Sequence, residues 1–444
     1  MTVTRFAPSP TGRLHIGNIR TALHCWLWAK KNEGRFLLRI DDTDAARSTE
    51  AFVEAIRSDL DWLGLTRDGE ARQSERFDLY EAQFARLEAA GRIYACYETP
   101  EELDLRRKVL LGRGLPPIYE RPATDAPAPQ DRVPHWRFKL NHDAIIEWTD
   151  LVRGPQHFDP KLISDPVVRR ADGSWLYLLP SVIDDIDMGV TTVVRGEDHV
   201  SNTATQLQMF VALGATPPTF AHEALLVGSE GKLSKRLGSL DCDALRADGI
   251  EPLAIAALLA RLGTSDSVEP VDSVTPLIDG IDFARFGRAP ARFDIVELET
   301  LNAKMLHQLP FDVVAARLPT GMSEAAWDVI RPNLSTIAEA GDWWRIVTGP
   351  VDIVSPTFED AAYLHTAAAI AADLDWAAEP WRTLTSALKA ETNRSGKALF
   401  MPLRLALTGR GHGPDMAALL PLIGREQALL RLGMAGAAGA QDVA

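Results

Sequence analysis

The sequence predicts an α/β protein: a doubly wound parallel sheet that carries an α+β insertion, followed by an all-α C-terminal region. Three observations predict it. Strand and helix patterns alternate over the first 64 residues with short connections. Short strand-like pieces cluster between residues 135 and 179. Beyond residue 240 apolar residues recur at helical spacing, broken by Pro, Gly and capping residues, and strand patterns nearly vanish.

Residues 2–7 alternate as a short strand, and Pro8-Ser9-Pro10-Thr11-Gly12 cannot continue it. From Ile16 apolar residues fall at Ile16, Ile19, Leu23, Trp26 and Leu27, and Gly34 closes the helix. His15 and Asn18 therefore share a face on its first turn. A helix N-terminus offers unpaired N–H groups and partial positive charge, which suits a phosphate. Gly17 lets a ligand approach the backbone. The pattern points to a nucleotide triphosphate site. A buried His beside a capping Asn explains the turn equally well when it is read alone.

Residues 35–41 read as a buried strand that ends in Asp41, Asp42 and Asp44. A helix follows from a Ser48 cap through Phe52, Val53, Ile56, Leu60 and Leu63 to Gly64. In such sheets ligands sit beyond the carboxyl ends of the strands, where Ser9, His15 and Asp41 would converge. Asp41 could equally be a solvated loop charge.

The helical pattern continues over residues 73–97, and residues 122–134 read as an irregular loop. Strands are expected at 135–140, 145–148, 167–170 and 175–179, with Asp172-Gly173 as a tight hairpin turn. The β-branched run 190–194 stops at Arg195-Gly196-Glu197-Asp198-His199, and Ser201 or Asn202 caps a helix through Leu207, Phe210 and Val211. Then come an apolar stretch at 224–227 and the basic loop Lys232-Leu233-Ser234-Lys235-Arg236. Leu245, Leu253, Ala256, Leu259 and Leu262 open the helical region, and the Ala/Gly-rich tail 434–444 is expected to fray.

A chain of 444 residues exceeds one typical core, so two to four domains are expected. A net charge of −14 argues against an unspecific nucleic-acid coat but leaves room for local basic patches. No apolar run is long enough to span a bilayer and no export signal opens the chain, so a cytoplasmic protein without membrane contact is expected. Cys25, Cys96 and Cys242 are too scattered for a disulfide framework.

The pairing of His15-Ile16-Gly17-Asn18 with Lys232-Leu233-Ser234-Lys235-Arg236 resembles the two signatures of class I aminoacyl-tRNA synthetases, with Asn for His in the first. More narrowly, the chain is similar to bacterial glutamyl-tRNA synthetases. The matching segments are 5–18, Leu38-Arg39-Ile40-Asp41-Asp42-Thr43-Asp44, Asp165-Pro166-Val167-Val168-Arg169, Val182-Ile183-Asp184-Asp185 and Val194-Arg195-Gly196-Glu197-Asp198-His199. Residues 232–238, Ala260-Arg261-Leu262-Gly263, and Phe293-Asp294 with Leu301-Asn302 extend the match over about the first 310 residues in order.

That resemblance implies a Rossmann-type catalytic domain in two halves, 1–80 and 179–229, around an acceptor-end-binding insertion at 81–178. A stem-contact segment at 230–305 holds the basic loop, and a helical anticodon-binding domain follows at 306–444. The implied activity is ATP-dependent conversion of L-glutamate to glutamyl-adenylate. The glutamyl group is then transferred to the terminal adenosine of tRNA-Glu, with tRNA-Gln left open. The substrate carboxylate is the nucleophile, so positioning and cations matter rather than a catalytic triad. His15, Asn18 and Lys235 are the implied catalytic residues. Thr11, Gly17, Asp198, His199, Lys232, Lys235 and Arg236 are implied to bind ATP, which brings Mg2+. A side-chain carboxylate needs cations, and Arg5 and Arg195 stand at expected strand ends. The resemblance adds Ser9, Asp41 and Tyr177 to the glutamate site. Asp41 departs from a more usual Glu, and Ser181 stands where some relatives have Asn. Many relatives carry a zinc knuckle in the insertion. Here Cys96 has only Glu98 and Tyr119 at neighbouring motif positions, so no structural zinc is expected. A monomer is expected.

Four other readings share parts of this pattern. A glutaminyl-tRNA synthetase would have a β-barrel anticodon region, and the short enzyme that glutamylates a modified tRNA nucleoside lacks that region altogether. A small-molecule nucleotidylyltransferase needs neither the basic loop nor the residues after it. A non-catalytic tRNA-binding paralogue would not need His15, Lys235 and Arg195 intact.

Overall fold

The computed structural model describes residues 1–122, 129–228, 240–352 and 357–441. Lys232, Lys235 and Arg236, and with them the basic-loop expectation, lie outside these residues, as does part of the 122–134 loop. The contacts divide the chain into two units, residues 1–247 with 251–295, and residues 248–250 with 296–444.

In the first unit β1 (Val3–Phe6), α1 (Ile16–Lys31), β2 (Arg35–Ile40), α2 (Glu50–Trp62) and β3 (Gly69–Arg72) form the opening αβ run. Then come α3 (Phe77–Ala89), β4 (Ile93–Cys96), α4 (Pro100–Gly112), β5 (His135–Phe138), β6 (Ile146–Asp150), β7 (Gly154–Phe158) and β8 (Val167–Arg169). The sheet resumes through α5 (Leu178–Asp187), β9 (Thr192–Gly196), α6 (Val200–Ala212) and β10 (Thr219–Glu223). β11 (Leu226–Gly228), α7 (Cys242–Ala247), α8 (Pro252–Arg261), α9 (Thr275–Gly280) and β12 (Ala291–Phe293) complete the unit.

The central sheet has the order β10-β9-β1-β2-β3, and every pairing in it is parallel. The chain winds outward from β1 in one direction to β3 and returns on the other side as β9 and β10. The strand order therefore reverses between β1 and β9, which opens a crevice at their carboxyl ends. The inserted segment pairs β4, β5 and β8 antiparallel and adds the β6–β7 hairpin.

The apolar spacing read for the first helix is its buried face: Ile16, Ile19, Leu23, Trp26 and Leu27 are all buried. Several elements differ from expectation. Thr49, not Ser48, caps α2, its hydroxyl accepting from the Phe52 N–H. The pattern over 73–97 splits: Gly91 turns at φ +64, and Ile93 to Cys96 then pair with β5. The strand expected at 175–179 reduces to one bridge, Arg169 with Trp175, before α5 begins at Leu178. Pro180 is tolerated there because it lies in the first turn, where no intrahelical N–H bond is lost. α6 starts at Val200, ahead of either expected cap. Strands β3, β7, β10 and β12 and helices α4 and α5 lie outside the expected elements.

The second unit is helical: α10 (Ile295–Leu306), α11 (Phe311–Val314), α12 (Glu324–Ile330), α13 (Glu339–Thr348), α14 (Phe358–Ala372), α15 (Pro380–Thr392), α16 (Lys397–Thr408), α17 (Met416–Ile423) and α18 (Arg425–Gln441). Trp327, Leu384, Leu403 and Leu419 are among its fully buried side chains. The expected fraying of 434–444 is corrected as far as Gln441: α18 persists because Leu432 and Ala435 are buried in that core. Among the described residues no helix is long and apolar enough to cross a membrane.

Candidate active site

A cleft of about 740 Å³ opens at the crevice between β1 and β9. Arg5, Ser9, Thr11, His15, Gly17, Asn18, Asp41, Tyr177, Arg195, Asp198 and His199 all line it. Every expected site residue among the described ones is thus brought to one place. On either side of the undescribed loop, Leu226 lines the cleft and Asp241 bridges to His15.

One end of the cleft is built by the start of α1. His15 is the N-cap, its Nδ1 accepting from the Gly17 N–H at 3.1 Å, while the Asn18 Oδ1 accepts from the His15 N–H at 3.3 Å. The turn is thus a capping box in which the half-buried His15 is itself the cap. With Nδ1 accepting, the neutral ring carries its proton on Nε2, and burial pushes the His15 pKa down. With Oδ1 engaged, the Asn18 Nδ2 is the face left to donate. Gly17 suits this geometry, because a Cβ would stand 3.1 Å from the His15 ring and make it shift.

The other end holds two buried arginines with opposite surroundings. Arg5 Nε donates to Asp185 Oδ1 at 3.1 Å. Arg195, 6% exposed, is held entirely by uncharged acceptors: Tyr177 Oη at 2.8 Å, Thr203 Oγ1 at 2.6 Å, Gln206 Oε1 at 2.7 Å and His222 Nε2 at 3.3 Å. Among the described residues no carboxylate forms an ion pair with it, and burial pushes its pKa down. A buried cation without an anion is costly, so the site is arranged for one to arrive. These bonds occupy Nε–H, one N–H of Nη1 and both of Nη2, which leaves a single Nη1 N–H. That N–H remains to donate, with the Tyr177 hydroxyl beside it.

Asp41 lies at the cleft wall, but its carboxylate is gripped by Arg39 at 2.7 and 3.1 Å. Burial raises the Asp41 pKa against the opposing pull of Arg39. Arg39 is fully buried and also donates to Asp185 Oδ1 at 2.7 Å and to Ser181 Oγ at 3.2 Å. Ser181 is thus a partner of Arg39. Asp184 in turn accepts from Gln73 and the Tyr80 hydroxyl, both at 2.8 Å. His199 packs its ring 5.7 Å from that of Tyr177.

In the insertion His135 joins Cys96 and Glu98, their ligand atoms lying within 4.8 Å of one another. This donor was missed because it lies 39 residues beyond Cys96 and is brought near only by the β4–β5 pairing. The Tyr119 hydroxyl donates to Glu98 Oε1 at 3.0 Å and lies 3.3 Å from Cys96 Sγ. The Arg137 guanidinium stacks 3.7 Å from the Tyr119 ring centre and donates to His135 Nε2 at 3.3 Å. Arg137 already brings a cation to this cluster, and among the described residues it offers one thiol, one carboxylate and one imidazole, a donor set that does not fit a closed four-coordinate zinc.

Residues 1–275 match the family described as tRNA synthetases class I (E and Q), catalytic domain, and residues 306–435 match an anticodon binding domain. The glutamate–tRNA ligase 2 of Sphingopyxis alaskensis is 67% identical over 98% of this chain and 100% of its own length. The chain belongs to the glutamate–tRNA ligase family of class I aminoacyl-tRNA synthetases. Glutamate–tRNA ligase 1 of Rhizorhabdus wittichii is 66% identical over 97% of this chain and 99% of its own. Among solved structures, a glutamate tRNA ligase from Elizabethkingia meningosepticum in complex with its amino acid superposes with a TM-score of 0.81. It is 27% identical and covers 98% of this chain and 99% of its own. Reactions of this enzyme class consume ATP. Behind the cleft-lining side chains, the hydrogen-bond partners not anticipated are Arg39, Asp150, Asp184, Asp185, Thr203, Gln206 and His222. Asp184-Asp185 stood in a matching segment without a role, and Asp150 and His222 carry no local motif.

Proposed function

We propose that this family member activates L-glutamate with ATP and passes it to the terminal adenosine of tRNA-Glu, using the β1–β9 cleft. The observation that carries this is Arg195: a buried cation, uncompensated by any ion pair among the described residues, in the cleft that also holds the α1 N-terminus. A glutamate side-chain carboxylate supplies the missing charge and accepts through both oxygens, whereas a glutamine amide is uncharged and accepts through only one end. Arg5 and Tyr177 complete that pocket, and Asp41 with Ser9 offers acceptors to the substrate ammonium.

The substrate carboxylate attacks the α-phosphate and pyrophosphate leaves, so negative charge builds on the leaving group. His15 Nε2–H, Asn18 Nδ2–H and the α1 N–H groups are donors suited to hold it, with Thr11, Gly17, Asp198 and His199 around the nucleotide. Lys232, Lys235 and Arg236 are assigned to the same phosphates on the strength of their motif. Mg2+ enters on the ATP phosphates. The insertion at 81–178 takes the acceptor end, residues 230–305 the stem and 306–444 the anticodon.

Arg195→Ala tests the reading. In tRNA charging its glutamate KM should rise on the order of 10²-fold, the cost of a bond to a charged group. The ATP KM should stay within a few-fold. Equal loss for both substrates would refute the assignment.

A further inference from the structure

The cradle of Arg195 has a second layer that comes from the insertion. Asp150 ends β6, and its carboxylate is fully buried. Oδ1 accepts three backbone N–H groups, from Val152 at 3.0 Å, Arg153 at 2.9 Å and His222 at 3.1 Å. Oδ2 lies 2.5 Å from His222 Nδ1. A carboxylate can only accept, so Nδ1 carries the imidazole proton and Nε2 is left with a lone pair. That lone pair faces the Arg195 Nε–H at 3.3 Å and the Thr203 hydroxyl at 2.8 Å, and Thr203 in turn accepts from Arg195 Nη2. Four groups thus form one buried chain from the hairpin of the insertion to the guanidinium at the cleft.

We propose that Asp150 and His222 are positioning residues for glutamate selection: the hairpin carboxylate sets the imidazole tautomer, and the imidazole holds Arg195 in its carboxylate-binding pose. The proposal rests on the reading of Arg195 given above. It accounts for why a histidine with no exposure stands beside a cation. Only a neutral ring presenting a lone pair is compatible with Arg195, and burial together with Arg195 keeps His222 below its ordinary pKa.

Two variants test it in the full chain. In Asp150→Asn the three backbone donors hold the amide oxygen at the Oδ1 position, so the amide N–H2 must face His222 Nδ1. The ring then moves its proton to Nε2, against the Arg195 N–H. In His222→Asn the amide still donates to Asp150, which preserves the hairpin anchor, but it falls short of Arg195. The expected result in charging of tRNA-Glu is a glutamate KM raised about 10-fold in each, with the ATP KM within twofold of wild type. A purely structural pair would lower the folded fraction and leave the glutamate KM alone. A folded His222→Asn with a glutamate KM within twofold of wild type overturns the proposal. If Asp150→Asn does not fold, His222→Asn decides. Arg195→Ala run alongside separates the two readings. A raised glutamate KM there with none in His222→Asn ends the positioning role only. An unchanged KM in Arg195→Ala ends both.

Discussion

At Gly17 two demands meet in one missing methyl group. The glycine N–H holds His15 Nδ1 and so places the proton on Nε2, and the absent Cβ makes room for that same ring. Gly17→Ala would improve helix propensity by up to about 1 kcal/mol, so thermal stability should not fall. The imidazole would have to shift by a few tenths of an ångström. The turnover number for tRNA charging should drop on the order of 10²-fold, as when one preorganised donor is lost. Paired calorimetry and charging assays check this, and activity and stability falling together would contradict it. Residue types also explain which roles were legible. His, Asn and Gly on one turn suggest a phosphate site locally, whereas the count of free N–H groups on Arg195 depends on Thr203, Gln206 and His222, which no spacing rule connects to it.

At the scale of elements, long periodic segments were read well and short paired ones were not. α1 was visible because its buried face repeats over four turns. β3, with the sequence Gly-Glu-Ala-Arg, has almost no strand preference and exists because β2 offers it a parallel ladder. α4 was legible in principle: Thr99 and Glu102 form a reciprocal cap with Pro100 at the first helical position. Caps show how finely local chemistry decides. Thr49→Ala should cost about 1 kcal/mol in urea unfolding of α2, whereas Ser48→Ala, whose hydroxyl makes no bond among the described residues, should cost a few tenths at most. Equal costs would place the cap at Ser48.

For the molecule as a whole, the buried ionisable groups set an acid limit. Burial lowers the pKa values of His15, His199 and His222 below 6.5. As pH falls through 6.5 the unfolded chain takes up these protons and the folded chain resists them, so stability falls. Asp59 works the other way. Burial and Asp243 raise it to about 6, so the folded state holds its proton where the unfolded state would not. With His135, which burial also lowers, four histidines stand against Asp59 and the likewise raised Asp41, and the melting temperature should decline from pH 7.5 to 5.5. A flat or rising profile in scanning calorimetry would contradict the protonation states assigned here.

The residues alone were enough to announce the class of architecture, the turn proposed for phosphate, the acidic strand end and the arginine pair. Each is a short stretch whose backbone preference and chemistry are written within a few positions. Folding decided what those groups can do. It reversed the strand order at β1 and β9, bound Asp41 to Arg39, withheld every carboxylate among the described residues from Arg195, and carried Asp150 across 72 positions to His222. Burial makes each such pairing or omission consequential, because a charge removed from water must find its partner in the fold or wait for a ligand.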